Sequence, residues 1–225
     1  MNRKILSQEG LKLIACVTML LDHIGATIFP STALRIIGRI SFPIFCFLLA
    51  EGIAHTRSPK RYALRLLIGA LLAEIPFDLL FYGSVSFVHQ NVMITLLLGF
   101  LMVMWTRKTG NMIVPFAVCY LAAVFLRTDY SGFGIGLIAL FFITREHPRK
   151  FLIQLIGVAI LMWMMGGMEI SLGVIRLPIQ LFGVLAMVPI FLYSGVKSTR
   201  NVWIQRGFYL FYPVHLVILL ILQKM

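Results

Sequence analysis

Acidic and histidine side chains inside apolar runs are the residues of this chain whose types best suit chemistry. Asp22 and His23 lie near the middle of the first long apolar run, and Glu74 and Asp78 lie in the third. An ionisable side chain is costly to bury in hydrocarbon without a partner, so such residues indicate a functional site. A histidine can act as a general base on a hydroxyl or an amine, or carry an acyl group, when a neighbouring group orients its ring. His23 is therefore a candidate for the essential base or acyl carrier.

Several polar residues occur in pairs that share one helix face, because residues three or four positions apart are neighbours on a helix surface. The pairs are Arg35 and Arg39, Glu74 and Asp78, Asn91 and Thr95, and Tyr212 and His215. Two acids on one face need a nearby cation or a proton, and Arg35 and Arg39 could supply the cation. The prediction is that Glu74 or Asp78 orients His23, and that Arg39 holds these carboxylates or stabilises an oxyanion.

The other polar residues of the apolar runs are assigned to substrate binding. They are Asp22, Arg35, Asn91, Thr95, Tyr212 and His215. Asp22 is adjacent to His23 and cannot face the same partner, so it is expected to face an arginine or another span. Interhelical hydrogen bonds that only hold the bundle together are the alternative, above all for Asn91 and Thr95. For His23 and His215 the alternative is a neutral ring bonded to a backbone carbonyl.

The elements that must position these residues are membrane spans. Hydrophobic residues make up 60% of the chain and charged residues 12%, against about 45–50% and 25% in soluble domains. Apolar runs approach or reach the roughly 17–20 residues that a span requires. They cover 11–29, 34–54, 62–82, 91–106, 112–126, 131–144, 151–168, 178–194 and 203–223. We predict an all-α, polytopic transmembrane helix bundle of about nine spans, forming a single domain over residues 1–225.

Basic residues concentrate in alternate loops between these runs. The formal net charge is +12, but the charge does not form the stripe that is typical of nucleic-acid binding, so no nucleic-acid partner is expected. The alternation predicts a cytoplasmic N-terminus by the positive-inside rule. One basic group consists of Arg57, Lys60, Arg61 and Arg65. It either contacts anionic lipid headgroups or binds the phosphates of a cytosolic ligand such as a CoA thioester.

Two functions fit these residues, and a third leaves them unexplained. A membrane-embedded acyltransferase would use His23 on an acceptor, while a small proton-coupled transporter would relay protons through the same acids and histidines. No internal repeat of the kind common in transporters is seen in the sequence. A purely structural or assembly protein would give the polar clusters no role. The three cysteines lack metal-ligand spacing, so no metal is expected.

The order of motifs along the chain resembles the TraX family, integral membrane proteins named for the F-pilin N-acetylase. The similar stretches are Leu11–Ala15, Met19–Gly25, Gly38–Phe45, Glu51–Gly52 with His55–Thr56, Tyr62–Leu66, Glu74–Asp78, Asn91–Gly99, Asp129–Gly132 and Tyr212–Leu216. The region of about 107–200 otherwise matches only in hydropathy. The resemblance implies a multi-pass protein of the bacterial cytoplasmic membrane, related to multi-span acyltransferases.

The activity that the resemblance implies is acetyl transfer from cytosolic acetyl-CoA, as co-substrate, to an acceptor reached from the outer side. For the named pilin enzyme the acceptor is the amino terminus of processed pilin. For this chain the acceptor is left as an amine or a hydroxyl. The implied partners are acetyl-CoA, that acceptor and membrane lipids.

Overall fold

The computed structural model describes residues 5–172, 175–196 and 202–225, and in these ranges the chain is mostly helical. The α-helices are α1 Gln8–Thr27, α2 Thr32–Gly38, α3 Ser41–His55, α4 Pro59–Tyr82, α5 Val92–Thr109, α6 Ile113–Phe125, α7 Ser131–Thr144, α8 Lys150–Met165, α9 Met187–Phe191 and α10 Val202–Lys224. A 3₁₀ helix, Ile179–Ala186, runs directly into α9. The strands β1 Glu169–Leu172 and β2 Ile175–Pro178 form an antiparallel hairpin, with Glu169 opposite Pro178. The prediction of an all-α fold is confirmed.

Four helical segments of the described ranges are long and apolar enough to cross a membrane. They are Gln8–Thr27, Thr32–His55, Val92–Thr109 and Gly207–Lys224. The shorter apolar helices are Ile113–Phe125, Ser131–Thr144, Lys150–Met165 and Ile179–Phe191. Helix α4 is 24 residues long but carries two acids and several basic residues. The count of about nine spans and the cytoplasmic N-terminus stay predictions.

The predicted span 34–54 is interrupted at Arg39 and Ile40, between α2 and α3. Pro43 has no N–H to donate to the carbonyl of Arg39, four residues earlier, and its ring crowds that carbonyl. The amide of Ile40 bonds instead to the carbonyl of Ile37, only three residues back, at 3.3 Å. This interruption separates α2 from α3, and the first residues of α3 are buried.

The predicted span 178–194 is wrong as a continuous α-helix. The chain there forms the 3₁₀ helix and the short α9, and α8 ends at Met165 rather than near residue 168. Gly166 and Gly167 have positive φ angles of 67° and 93°, which end α8. Pro189 cannot donate an α-helical hydrogen bond to Leu185, so regular α geometry is interrupted.

Helix α1 is the centre of the arrangement that positions the polar residues. It packs against α2, α3 and α10, and α10 packs against α4. Gly38 of α2 faces the Asp22 side chain so closely that a Cβ atom at this position would overlap it. The absence of a side chain at Gly38 therefore lets the arginines around it reach Asp22.

Candidate functional site

His23 is hydrogen-bonded to a second histidine from the far end of the chain. Its Nδ1 lies 2.8 Å from Nε2 of His215, and Nδ1 of His215 lies 2.8 Å from the carbonyl oxygen of Phe211. A carbonyl only accepts, so Nδ1 of His215 carries a hydrogen. With both rings neutral, Nε2 of His215 must accept from the N–H at Nδ1 of His23. This chain of bonds leaves Nε2 of His23 with a free lone pair, the form that a base or nucleophile needs.

Aromatic packing fixes the orientation of the two imidazoles. His23 stacks on His215 with ring centres 4.9 Å apart, and His215 stacks on Phe211 at 4.8 Å. Phe81 of α4 meets His23 edge-on at 5.2 Å. Since His215 is buried, these contacts leave His23 little freedom to turn. The imidazole ring of His215 is bonded to a backbone carbonyl, and the imidazole ring of His23 is not.

A buried ion-pair cluster lies beside the histidines. Asp22 forms salt bridges with Arg35, at 2.7 Å, and with Arg39. Arg39 also donates from Nε to the carbonyl of Arg35 at 3.3 Å and from Nη1 to Oε1 of Gln180 at 3.2 Å. Asp22 and Arg39 are only 6% and 5% exposed. The expectation that Asp22 faces an arginine is confirmed.

One cavity, which we call the His23 cavity, adjoins both groups and has a volume of about 220 Å³. Its polar and aromatic wall includes Asp22, His23, Arg35, Arg39, Asp129 and Tyr130. Tyr130 and its neighbour Ser131 have positive φ angles of 64° and 45°. Such strained backbone conformations concentrate at functional sites. The ring of Tyr130 stacks on Phe42 at 3.6 Å and closes this side of the cavity.

A second cavity of about 390 Å³, which we call the Arg65 cavity, lies toward the start of α1. The guanidinium of Arg65 lies 5.3 Å from the ring centre of Tyr62 and 5.1 Å from that of Tyr209. The ammonium of Lys12 lies 5.2 Å from the ring centre of Phe208. The cavity wall therefore combines two cations with aromatic rings, a combination that suits a phosphorylated ligand with a planar group.

The two cavities adjoin each other. Met19, Phe45 and Val92 line both, so these three apolar side chains stand between them. Met19 precedes His23 by one helical turn on the same face of α1. The Arg65 cavity therefore approaches the histidine pair from one end of the helices and the His23 cavity from the other.

Sequence comparison decides the family. The family model described as TraX protein matches residues 7–223, nearly the whole chain. The chain belongs to the TraX family. It is 31% identical over 244 residues to the probable fimbrial assembly protein FimC, serogroup H1, of Dichelobacter nodosus, with 97% of each chain covered. It is 28% identical over 151 residues to the uncharacterized protein RP591 of Rickettsia prowazekii (strain Madrid E), with 64% of this chain and 58% of that protein covered.

No solved structure matches this TraX-family chain. The family assignment confirms the resemblance inferred from the sequence motifs. Together with the long apolar helices, it identifies a membrane protein.

The predicted contact of Glu74 or Asp78 with His23 is wrong. Glu74 accepts hydrogen bonds from the backbone and the side-chain amide of Asn91, and Asp78 accepts from the amide of Ser86 at 2.8 Å. Neither acid lines the His23 cavity or the Arg65 cavity. Helix α4 instead turns Phe77 and Phe81 toward the histidines. Arg35 and Arg39 accordingly neutralise Asp22 and not these two acids.

Asn91 and Thr95 serve as interhelical ties in this TraX-family fold, which is the alternative that the sequence left open. Asn91 caps α5 through the amide of Met93 at 2.9 Å and donates to the carbonyl of Ala70 at 2.9 Å. Thr95 donates to the carbonyl of Asp129. Neither residue lines either cavity.

The remaining assigned residues divide between the cavities. Asp22 and Arg35 line the His23 cavity, Tyr212 lines the Arg65 cavity, and His215 lies behind His23 and lines neither. Among the predicted phosphate-binding residues only Arg65 lines the Arg65 cavity. The others, Arg57, Lys60 and Arg61, do not line it, and Arg61 bonds to Ser58 at 2.9 Å.

Sequence reasoning missed four residues that the structure brings to the site. They are Lys12, Asp129, Tyr130 and Gln180. Gln180 is a polar residue within an apolar run, which was a usable signal. Asp129 and Tyr130 follow α6 in a short connection, and Lys12 is a single basic residue near the start of the first apolar run.

Proposed function

We propose that this TraX-family protein is a membrane-embedded acetyltransferase. Acetyl-CoA binds in the Arg65 cavity, and the acetyl group is transferred at His23 to an amine or hydroxyl acceptor held in the His23 cavity. The observation that carries this proposal is the pair of adjoining cavities that meet beside a histidine with a free Nε2. Lys12 and His23 are separated by roughly 16 Å along α1, at 1.5 Å rise per residue.

The charge distribution supports a cytosolic Arg65 end. Three basic segments meet there, because Arg107 donates to the carbonyl of Ile53 at 3.0 Å and Arg145 pairs with Glu51 at 2.8 Å. Glu51 itself lines the Arg65 cavity. By the positive-inside rule, this concentration of charge supports the proposal that this end and the N-terminus face the cytosol, where acetyl-CoA is available.

The proposed reaction uses the free nitrogen of His23. Nε2 takes the proton of the acceptor as its nitrogen or oxygen attacks the acetyl carbonyl carbon. The carbon–sulfur bond then breaks, and the imidazolium returns the proton to the CoA thiolate. A two-step course, in which Nε2 carries the acetyl group before the acceptor arrives, needs the same free nitrogen.

We assign the oxyanion contact to the N-terminus of α3. Ser41 and Phe42 line the His23 cavity, and the first amides of a helix have no partner within it. Such donors stabilise the charge that develops on the carbonyl oxygen. Arg39, predicted for this role, already donates to Asp22, Gln180 and Arg35. We assign it to holding the cluster in place.

The acceptor enters from the end of the protein at which the His23 cavity lies. The relative from Dichelobacter nodosus is named a probable fimbrial assembly protein, and the amino terminus of a pilus subunit is an acceptor of suitable chemistry. Asp129 places a carboxylate in the cavity wall and would attract an ammonium group, which gives one proton to water before its neutral nitrogen attacks.

The test of this function is thiol release by the purified protein in liposomes. Acetyl-CoA is added with a pilin amino-terminal peptide, an amino sugar or a sugar alcohol, and both free thiol and acetylated product are measured. We expect equal amounts of CoA and acetylated product with one of these acceptors. Solute flux coupled to protons, without CoA release, would instead indicate a transporter.

Replacing Arg65 with alanine is expected to weaken acetyl-CoA binding. Loss of one charge-assisted phosphate contact, about 1.5–3 kcal/mol, should raise KM for acetyl-CoA about 10- to 100-fold and leave kcat nearly unchanged. Arg61→Ala is the matched control, because Arg61 lies one turn earlier on α4 outside the cavity. Equal KM values for the two variants would contradict the assignment of the cavity.

Two substitutions of His215 should separate its hydrogen bond from its packing. His215→Phe keeps an aromatic ring on Phe211 but removes the acceptor for Nδ1 of His23. We expect kcat to fall about 100-fold, at the low end of what a general base contributes. His215→Gln offers an amide oxygen in place of Nε2 and should stay within about tenfold of the original rate, since the oriented base is retained.

The pH dependence of kcat in the two His215 variants is the second measurement. His215→Gln should keep the shape of the original profile, because the same tautomer of His23 is held. Little loss in His215→Phe together with a larger loss in His215→Gln would show that His215 acts only by packing.

A further inference from the structure

A glutamine at the start of α1 places a buried, unpaired oxygen atom in the wall of the Arg65 cavity. Gln8 lines this cavity and is only 9% exposed. Its Oε1 has no hydrogen-bond partner among the described residues. Such atoms are rare in folded proteins, because a buried acceptor without a donor costs free energy. A ligand that brings an N–H group to Gln8 would remove this cost.

The backbone holds Gln8 in this position without using its side-chain amide. The backbone N–H of Gln8 donates to the carbonyl of Val196 at 2.9 Å. Ser7 caps α1 by accepting a hydrogen bond from the amide of Gly10 at 3.1 Å. Because these contacts fix the start of the helix, the side-chain amide of Gln8 is available to a ligand.

The side chains that α1 presents to the two cavities follow a regular order. Gln8, Lys12 and Met19 line the Arg65 cavity, and His23 lines the His23 cavity. Successive members are four or seven residues apart, so all four share one helix face. An acyl-CoA has its parts in a matching order, which is adenine, phosphates, pantetheine arm and thioester. With the phosphates at Lys12 and the thioester at His23, the adenine falls at Gln8, roughly 6 Å before Lys12 along the axis.

We propose that Gln8 recognises the adenine of acetyl-CoA by accepting a hydrogen bond from its 6-amino group. This inference rests on the proposed acetyl transfer and adds the residue that selects the nucleotide end of the donor. A glutamine amide matches adenine, because its oxygen accepts from the 6-amino group while its nitrogen donates to N7. Phe208 also lines the cavity, with its ring centre 5.2 Å from the ammonium of Lys12, and offers a face on which a base can stack.

The experiment compares CoA with an analogue in which unsubstituted purine replaces adenine, so that only the 6-amino group is missing. Dissociation constants of both ligands are measured by isothermal titration calorimetry with the purified full chain in detergent. In the original protein we expect the analogue to bind about 5- to 100-fold more weakly, because Oε1 of Gln8 is left without a donor. In Gln8→Met, whose side chain has a similar size, the two ligands should bind within about twofold of each other, since no acceptor is left to satisfy.

Gln223→Met is the matched control, because Gln223 is exposed near the end of α10 and lines neither cavity. It should keep the full preference for CoA. Gln8→Ala removes the same amide without adding bulk and decides the matter if Gln8→Met does not fold.

An unchanged preference for CoA in folded Gln8→Met or Gln8→Ala overturns the inference and leaves the acetyltransferase proposal standing. Equal binding of the two ligands by the original protein does the same. A folded protein that binds neither ligand overturns both, because the acyl donor then has no site.

Discussion

Replacing His23 with alanine should reduce acetyl transfer about 10²- to 10⁴-fold, the contribution of a positioned general base. The variant keeps the Asp22 cluster and the aromatic walls but has no nitrogen facing the acceptor. We expect it to insert and fold, because the lost hydrogen bond to His215 costs only about 1–3 kcal/mol. The rate of CoA release and the melting temperature in detergent are the measurements.

His147→Ala is the control for this prediction. His147 is exposed in the connection before α8, so its loss should leave activity unchanged. His23→Gln provides a second inactive variant of similar polarity. A folded His23→Ala protein that still transfers acetyl groups at the original rate would show that His23 is neither base nor acyl carrier.

Replacing Arg39 with methionine should cause the largest loss of stability. Arg39 and Asp22 are almost fully buried, and removal of one member of a buried ion pair typically costs about 3–5 kcal/mol, because the other charge stays in a poor solvent. Arg35 remains bonded to Asp22 but cannot replace the contact with Gln180. Thermal unfolding in detergent, followed by circular dichroism, measures the loss.

Arg145→Met is the matched control for Arg39. Arg145 and Glu51 also form a salt bridge, but their side chains are 26% and 15% exposed, so water screens the pair and the expected loss is about 0–1 kcal/mol. Equal losses for Arg39→Met and Arg145→Met would contradict the role assigned to the buried cluster.

The location of the site was predictable from the sequence, but the partner of His23 was not. The cost of burying ionisable groups in an apolar run pointed to Asp22 and His23. On α4, however, 74 and 78 form one i, i+4 pair and 77 and 81 another, and spacing does not say which pair faces inward. A lipid-facing surface is as apolar as a protein core, so polarity does not fix the rotation of the helix.

Irregular segments account for the other differences between the predicted site and the observed one. Gln180 reaches Arg39 from a 3₁₀ helix that follows a β-hairpin, and hydropathy alone reads that stretch as a span. Tyr130 and Asp129 reach the His23 cavity because the chain takes left-handed backbone angles there. Such local geometry depends on tertiary contacts, including the Thr95 hydrogen bond to Asp129, and leaves no periodic pattern in the sequence.

For the basic residues after α3, too, the sequence predicts the region but not the individual residue. Arg61 and Arg65 share a face of α4 by spacing, yet only Arg65 lies far enough along the helix to enter between Tyr62 and Tyr209. Gly52 permits this, because a Cβ atom there would come within 2.8 Å of the Tyr62 hydroxyl. The sequence indicates a basic end of the bundle, and packing selects the residue that lines the cavity.

The position of the CoA sulfur in a structure of the protein with bound CoA tests the central claim most directly. The claim is that the acyl donor enters from the Arg65 cavity and reacts at His23. We expect the CoA phosphates near Arg65 and Lys12 and the pantetheine arm between Met19 and Phe45. The CoA sulfur should then lie within about 3–3.5 Å of Nε2 of His23. CoA bound elsewhere, or a sulfur that stays on the Arg65 side of Phe45, would contradict it.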